Sequence, residues 1–102
     1  MTEATALTAK RAELLHLANE AFPQAARSGA YPVRFNHCFL RIVYDNLFGQ
    51  RWQRVLPKGQ PAYKQLDGAQ LERAIELGQA IIADPELCRD LNQKSLEYRG
   101  KR

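Results

Sequence analysis

Apolar residues along this chain recur mostly at intervals of three and four, the spacing that stacks side chains on one face of an α-helix. From about Thr5 to Phe22, Leu7, Leu14, Ala18, Ala21 and Phe22 follow that spacing, with Lys10, Glu13 and Glu20 elsewhere. The pattern predicts a first amphipathic helix, which Pro23 ends or bends sharply. Gly29 and Pro32 bracket a loop, and Asn36 is placed to cap a second helix, His37 to Phe48, terminated by Gly49. Phe39, Leu40, Ile42, Val43, Leu47 and Phe48 leave that helix little solvent face, so it is expected to run through the middle of the fold. Its Ile-Val-Tyr run also suits a strand, but the polar residues fall at helical intervals.

Residues Gln50 to Leu56, around Trp52 and Val55, read as a further helical turn, and Pro57, Gly59 and Pro61 break regular structure after it. Asp67 as N-cap, Gln70 at the capping-box position, and Leu66 with Leu71 as a hydrophobic staple predict a third helix. Its apolar stripe is Leu71, Ala74, Ile75, Gly78, Ile81 and Ile82. Asp84-Pro85-Glu86 reads as a second cap, opening a fourth helix that runs to about Tyr98 and is closed by Gly100. Residues 1–4 and 100–102 read as frayed ends. The fold expected is an all-α, compact bundle of about four helices with a central buried second helix, in one domain spanning 1–102.

Composition agrees: 102 residues, 45% hydrophobic and 25% charged, suit one packed domain. No run approaches the ~20 apolar residues of a membrane helix, and Met1-Thr2-Glu3-Ala4-Thr5 lacks the basic-then-apolar plan of a secretory signal. A cytoplasmic protein with no membrane partner is expected, and with it reduced thiols at Cys38 and Cys88. The net charge of +4 is uneven. Residues 27–64 hold seven Arg or Lys against the single acid Asp45, whereas 65–98 hold seven acids against Arg73, Arg89 and Lys94. Such halves attract each other within the fold or in a homodimer, or the basic half offers an anion site.

On the second helix His37, Arg41, Tyr44 and Asp45 share about a third of the circumference. Arg41 and Asp45 stand at the i,i+4 spacing of an ion pair, and His37 lies one turn earlier, near the helix's positive end. The face suits a small anionic ligand, a phosphate or carboxylate, held by Arg41 and free helix N–H groups. It also suits group transfer, with His37 as general acid or base and Tyr44 as donor. The plain alternative is an internal Arg41–Asp45 pair with Tyr44 filling the core. Asn92, Ser95 and Arg99 form a secondary stripe on the fourth helix, either completing a pocket with the second helix or facing solvent. Ser95 lacks the Gly-x-Ser-x-Gly surroundings of a hydrolase nucleophile.

A basic segment, Arg51, Arg54, Lys58 and Lys64, interleaves with Trp52 and Tyr63, as in accessory proteins that bind nucleic acid. No helix-turn-helix, zinc-finger or RNA-binding signature accompanies it. His16, His37, Cys38 and Cys88 lack the paired spacing of a zinc site, and adjacent His37 and Cys38 point about 100° apart on a helix. No metal and no cofactor is expected from these residues.

The run Arg34-Phe35-Asn36-His37-Cys38-Phe39-Leu40-Arg41-Ile42-Val43-Tyr44-Asp45-Asn46, with Trp52, Pro61-Ala62-Tyr63 and Leu91-Asn92-Gln93-Lys94-Ser95-Leu96-Glu97-Tyr98-Arg99-Gly100, resembles a group of short uncharacterised bacterial proteins. The resemblance covers about residues 34–100. Some members of that group are described as acetyltransferases, with no mechanism attached, so the resemblance supplies a family but no activity. Acetyltransferases of the GNAT kind hold coenzyme A pyrophosphate on a glycine-rich turn at a helix start beside a splayed sheet. This chain has neither that turn nor evident strands.

Overall fold

A computed structural model describes residues 3–101, of which residue 3 is described in its backbone alone. The expected fraying of residues 1, 2 and 102 lies outside the described residues. The structure is all-α, 74% helical, with four long helices and no strand among the described residues. In chain order, α1 is Glu3–His16, followed by a π turn at Leu17–Ala21 and α2 at Phe22–Ala26; α3 is Asn36–Phe48. A 3₁₀ turn at Trp52–Arg54 and a short α4 at Ala62–Gln65 lead to α5, Gly68–Ala83, and α6, Pro85–Tyr98.

The helical path through the first segment excludes one of the two outcomes expected at Pro23, an end or a bend. Pro23 does not end it, because the path continues to Ala26. A proline inside an α-helix removes one N–H and crowds the carbonyl four residues back. The wider turn at Leu17–Ala21 takes up that mismatch, and the Phe22 N–H reaches back five residues to the Leu17 carbonyl. Burial rewards the continuation: Phe22 and Ala26 both face the core.

The start of α3 also differs from expectation. Phe35, with extended backbone, occupies the cap position, and Asn36 is the first helical residue. The Asn36 carboxamide accepts from the His37 N–H at 2.8 Å and donates to Asn19 Oδ1 at 2.8 Å, tying α3 to the π turn. Gly49 does end α3, in the left-handed conformation that glycine adopts without strain. Positions 42 to 45 are all buried, and four successive helical positions sweep about 300°. The second half of α3 is therefore enclosed all round, against α5, α6 and the π turn, while Asn36 and His37 at its start are exposed.

Both predicted caps at the C-terminal half are present. Asp67 and Gln70 form the reciprocal capping box, with bonds of 2.8 and 2.9 Å, and Leu66 and Leu71 are buried beside it. Asp84 Oδ1 accepts from the Glu86 and Leu87 N–H groups at 3.0 and 3.3 Å. Gly78 lies where α5 meets α3: a Cβ there would sit 2.9 Å from Phe39 Cζ. The Phe39 ring in turn stacks on Phe22, with centroids 4.8 Å apart.

The loop before α3 is fastened to the C-terminal end of α5. The Tyr31 hydroxyl donates to the Ile82 carbonyl, and its ring meets Phe22 edge-on at 5.4 Å. Beneath it Cys88 is fully buried, whereas Cys38 is half-buried, and both are free thiols. Burial pushes the Cys88 thiol up to about 11 against the opposing pull of Arg89 and Arg41. The folded protein thus keeps a proton that the unfolded chain, with an ordinary thiol near 9.0, has lost. Stability should fall as pH rises from about 9 through about 11, by up to ~1.4 kcal/mol per pH unit for one proton. Urea melts across that range should show the slope, and Cys88→Ala should remove its share, leaving the slope of the same sign that the raised Tyr31 and Tyr44 phenols add above about pH 10. Aromatic-disulfide titration at pH near neutral should find one reactive thiol, Cys38, until the chain unfolds.

Candidate functional site

Between α3 and α6 lies a buried polar network whose centre is Asp45, at 0% exposure. Arg99 grips the carboxylate with two bonds, Nε to Oδ2 at 2.7 Å and Nη2 to Oδ1 at 3.1 Å. The Ser95 hydroxyl, also fully buried, donates to Oδ2 at 2.7 Å, and the Trp52 backbone N–H donates to Oδ1 at 2.9 Å. Each carboxylate oxygen therefore receives two donors, which is what a charge with no access to water requires. Arg99 Nη2 also reaches Gln53 Oε1 at 3.0 Å. Asn46 closes the helix pair by donating to the Ile42 and Leu91 carbonyls at 2.8 and 2.9 Å.

Arg41 is not the partner of Asp45, contrary to the i,i+4 expectation. Its Nη1 donates to Ser95 Oγ at 2.7 Å and its Nη2 to Asn92 Oδ1 at 2.8 Å, both neutral acceptors. The i,i+4 rule describes an isolated helix surface; α6 brings Arg99 to Asp45 with a two-pronged geometry that Arg41, on the same helix, does not match. The stripe Asn92, Ser95, Arg99 is thus no solvated face. It joins Arg41 and Asp45 in one network.

The charges in this network do not cancel. Arg41 and Arg99 face one carboxylate, and the ion pairs among the described residues are Lys10–Glu72, His16–Glu20 and Arg99–Asp45. Arg41 belongs to none of them. Two of its five N–H donors are used, and the guanidinium carries an unneutralised positive charge.

On its other side Arg41 lines an open pocket of about 320 Å³ with Tyr44, His37 and Leu40 of α3. Leu15 and Asn19 form a second wall, and Trp52 with Pro61, Ala62 and Tyr63 a third. No acidic residue lines it. Tyr44 is 3% exposed, its ring meets Trp52 edge-on at 5.8 Å, and its hydroxyl is buried with no hydrogen-bond partner. Such an orphan group is rare, because leaving it unpaired costs about 1–3 kcal/mol. Burial, and secondarily the Tyr63 phenol nearby, holds the Tyr44 phenol far above its ordinary range, so it stays a proton donor at every physiological pH.

The remaining sequence candidates are distributed as follows. His37 is exposed, stacks on exposed Phe35 with centroids 5.7 Å apart, and lies on the rim of the Arg41 pocket. Cys38 lines a different cleft, beside Tyr31 and Phe35, as adjacent helical positions require. The helix N–H groups expected to help hold an anion are engaged: His37 N–H by Asn36 Oδ1, and Cys38 and Phe39 N–H by the Phe35 carbonyl. Arg54, Lys58 and Lys64 are exposed, Arg51 is half-buried, and Trp52 and Tyr63 turn to the pocket. Among the described residues no group of three or more His, Cys, Asp or Glu is arranged to hold a metal, and no helix is long and apolar enough to cross a membrane.

Asn19, Leu15, Pro61 and the Trp52 N–H carry no local signal of their roles, since each acquires its place only through packing. A wider groove of about 550 Å³ at the end of α6 is lined by Gln93, Glu97, Gly100 and Lys101, all exposed, and holds no buried polar group. Protein-family models give no match to this chain, and neither do curated proteins or solved structures.

Proposed function

We propose that this protein binds a small organic anion in the pocket lined by Arg41 and Tyr44. What supports the reading above all is the unneutralised Arg41 guanidinium, fixed by Ser95 and Asn92, on the wall of a pocket with no carboxylate. A half-buried cation held in place by neutral groups is a ready counter-charge for an incoming anion, because little side-chain freedom remains to be lost on binding. The fully buried Asp45 does not meet the ligand. It holds Arg99 and Ser95, and through Ser95 it positions Arg41. Among the candidate residues of α3 and the Asn92–Ser95–Arg99 stripe, Arg41 and Tyr44 are the binding groups, His37 a rim residue, and Asp45, Asn92, Ser95 and Arg99 the support.

The volume sits at the lower end of the ~300–1,000 Å³ usual for ligand pockets, too small to enclose coenzyme A or a dinucleotide. Thermal-shift measurements against a panel of small carboxylates and phosphorylated metabolites test the proposal. A ligand present at 100 times its Kd should stabilise the fold by about 2.7 kcal/mol, and Arg41→Met should abolish the shift while circular dichroism stays helical. No stabilising anion in the panel, or stabilisation that persists in Arg41→Met, would sink it.

A further inference from the structure

Resting on that proposal, we infer that the anion is an aromatic monocarboxylate, its carboxylate on Arg41 and the Tyr44 hydroxyl and its ring against Trp52 and Tyr63. Three observations restrict the chemistry. The charge available is a single guanidinium: no lysine or second arginine lines the pocket, and the first N–H groups of α3 are already bonded within the helix start. A dianionic phosphate usually draws on several donors and a free helix N-terminus, whereas a carboxylate needs two parallel donors and one more. Arg41 has N–H donors to spare, and Tyr44 has a buried hydroxyl with nothing to bond.

Apart from the neutral amides of Asn19 and Asn36 and the rim residue His37, the remaining walls are rings and hydrocarbon. Trp52 and Tyr63 approach from separate short elements, and Leu15, Leu40, Pro61 and Ala62 supply the hydrocarbon. Aromatic faces and edges favour a flat aromatic body over a saturated one of similar size. A cationic ligand is disfavoured by Arg41 itself. The Tyr44 hydroxyl is closed to solvent, so seating the carboxylate on it requires a small shift of the rings in front, and their environment changes on binding.

Trp52 is the sole tryptophan, which makes its fluorescence a direct reporter of the pocket. The full chain would be titrated with phenylacetate, cyclohexylacetate, phenyl phosphate and benzylamine. Phenylacetate should change Trp52 emission saturably and bind tightest, with phenyl phosphate and cyclohexylacetate each at least about 5-fold weaker and benzylamine silent. Tyr44→Phe, which keeps the ring and removes only the orphan hydroxyl, should weaken phenylacetate about 10-fold without loss of thermal stability. It carries the test if Arg41→Met does not fold.

Phenyl phosphate binding as tightly as phenylacetate, with either variant weakening it, would overturn the carboxylate assignment and leave anion binding standing. Equal binding of cyclohexylacetate would overturn the aromatic assignment alone. No saturable change with any of the three anions would overturn this inference alone, the wider anion panel deciding the proposed function, and binding indifferent to both variants would overturn the two together.

Discussion

Replacing Asp45 by alanine should destabilise the protein by about 3–5 kcal/mol, a large part of the ~5–15 kcal/mol available to a small domain. The side chain is wholly buried and receives four donors, from Arg99, Ser95 and the Trp52 N–H. Its loss strands the 14%-exposed Arg99 guanidinium without a counter-charge and unfastens the 3₁₀ turn that carries Trp52. Chemical denaturation of Asp45→Ala, Arg99→Leu and the double variant measures the coupling. The double variant should be less destabilised than the sum of the singles, because removing both charges leaves neither one buried and unpaired. Strict additivity would mean that the pair contributes no mutual energy and that Asp45 acts through Ser95 and the Trp52 N–H alone. Asp45→Ala should also loosen Arg41 through Ser95, so any anion binding should weaken in variants that still fold.

The second large effect is expected at Phe39. Phe39→Ala should cost about 3–5 kcal/mol by the cavity it leaves between α3, α5 and the π turn. The ring stacks on Phe22 and packs against Gly78, whose missing side chain makes room for it. Urea midpoints check the magnitude, and a reciprocal variant checks the geometry. Gly78→Ala should destabilise the native protein by about 1–3 kcal/mol through overpacking, but much less in a Phe39→Leu background, where the atom at 2.9 Å is gone. Equal costs in both backgrounds would place the strain elsewhere.

These two positions bear on the proposed anion site because they fix α3, and α3 carries Arg41 and Tyr44. Tyr44 is the informative exception to the general rule that core polar groups are paired. Its hydroxyl is worse than useless to the ligand-free fold, and its removal should leave the fold at least as stable. A group that weakens the fold while lining a pocket is the pattern expected where binding, rather than stability, has set the residue.

Most features governed by neighbours a few positions apart were legible in the chain, the cap of α3 excepted, where Phe35 rather than Asn36 holds the position. The Asp67–Gln70 capping box, the Asp84-Pro85 cap, the Gly49 stop and the enclosed second half of α3 were all legible, because capping, backbone conformation and apolar periodicity act within one or two turns. The fate of Pro23 was not, since a π turn is worth forming only when Phe22 and Ala26 find a core to enter. Nor was the short helix at Ala62–Gln65, which is too brief to leave a periodic signal. The residues of the candidate site stood out in the sequence as two separate stripes. Only tertiary structure decided that Arg99, 54 positions away, takes the carboxylate that Arg41 was expected to hold. That exchange of partners is a competition between geometries across two helices, and it is what leaves Arg41 with a charge to offer.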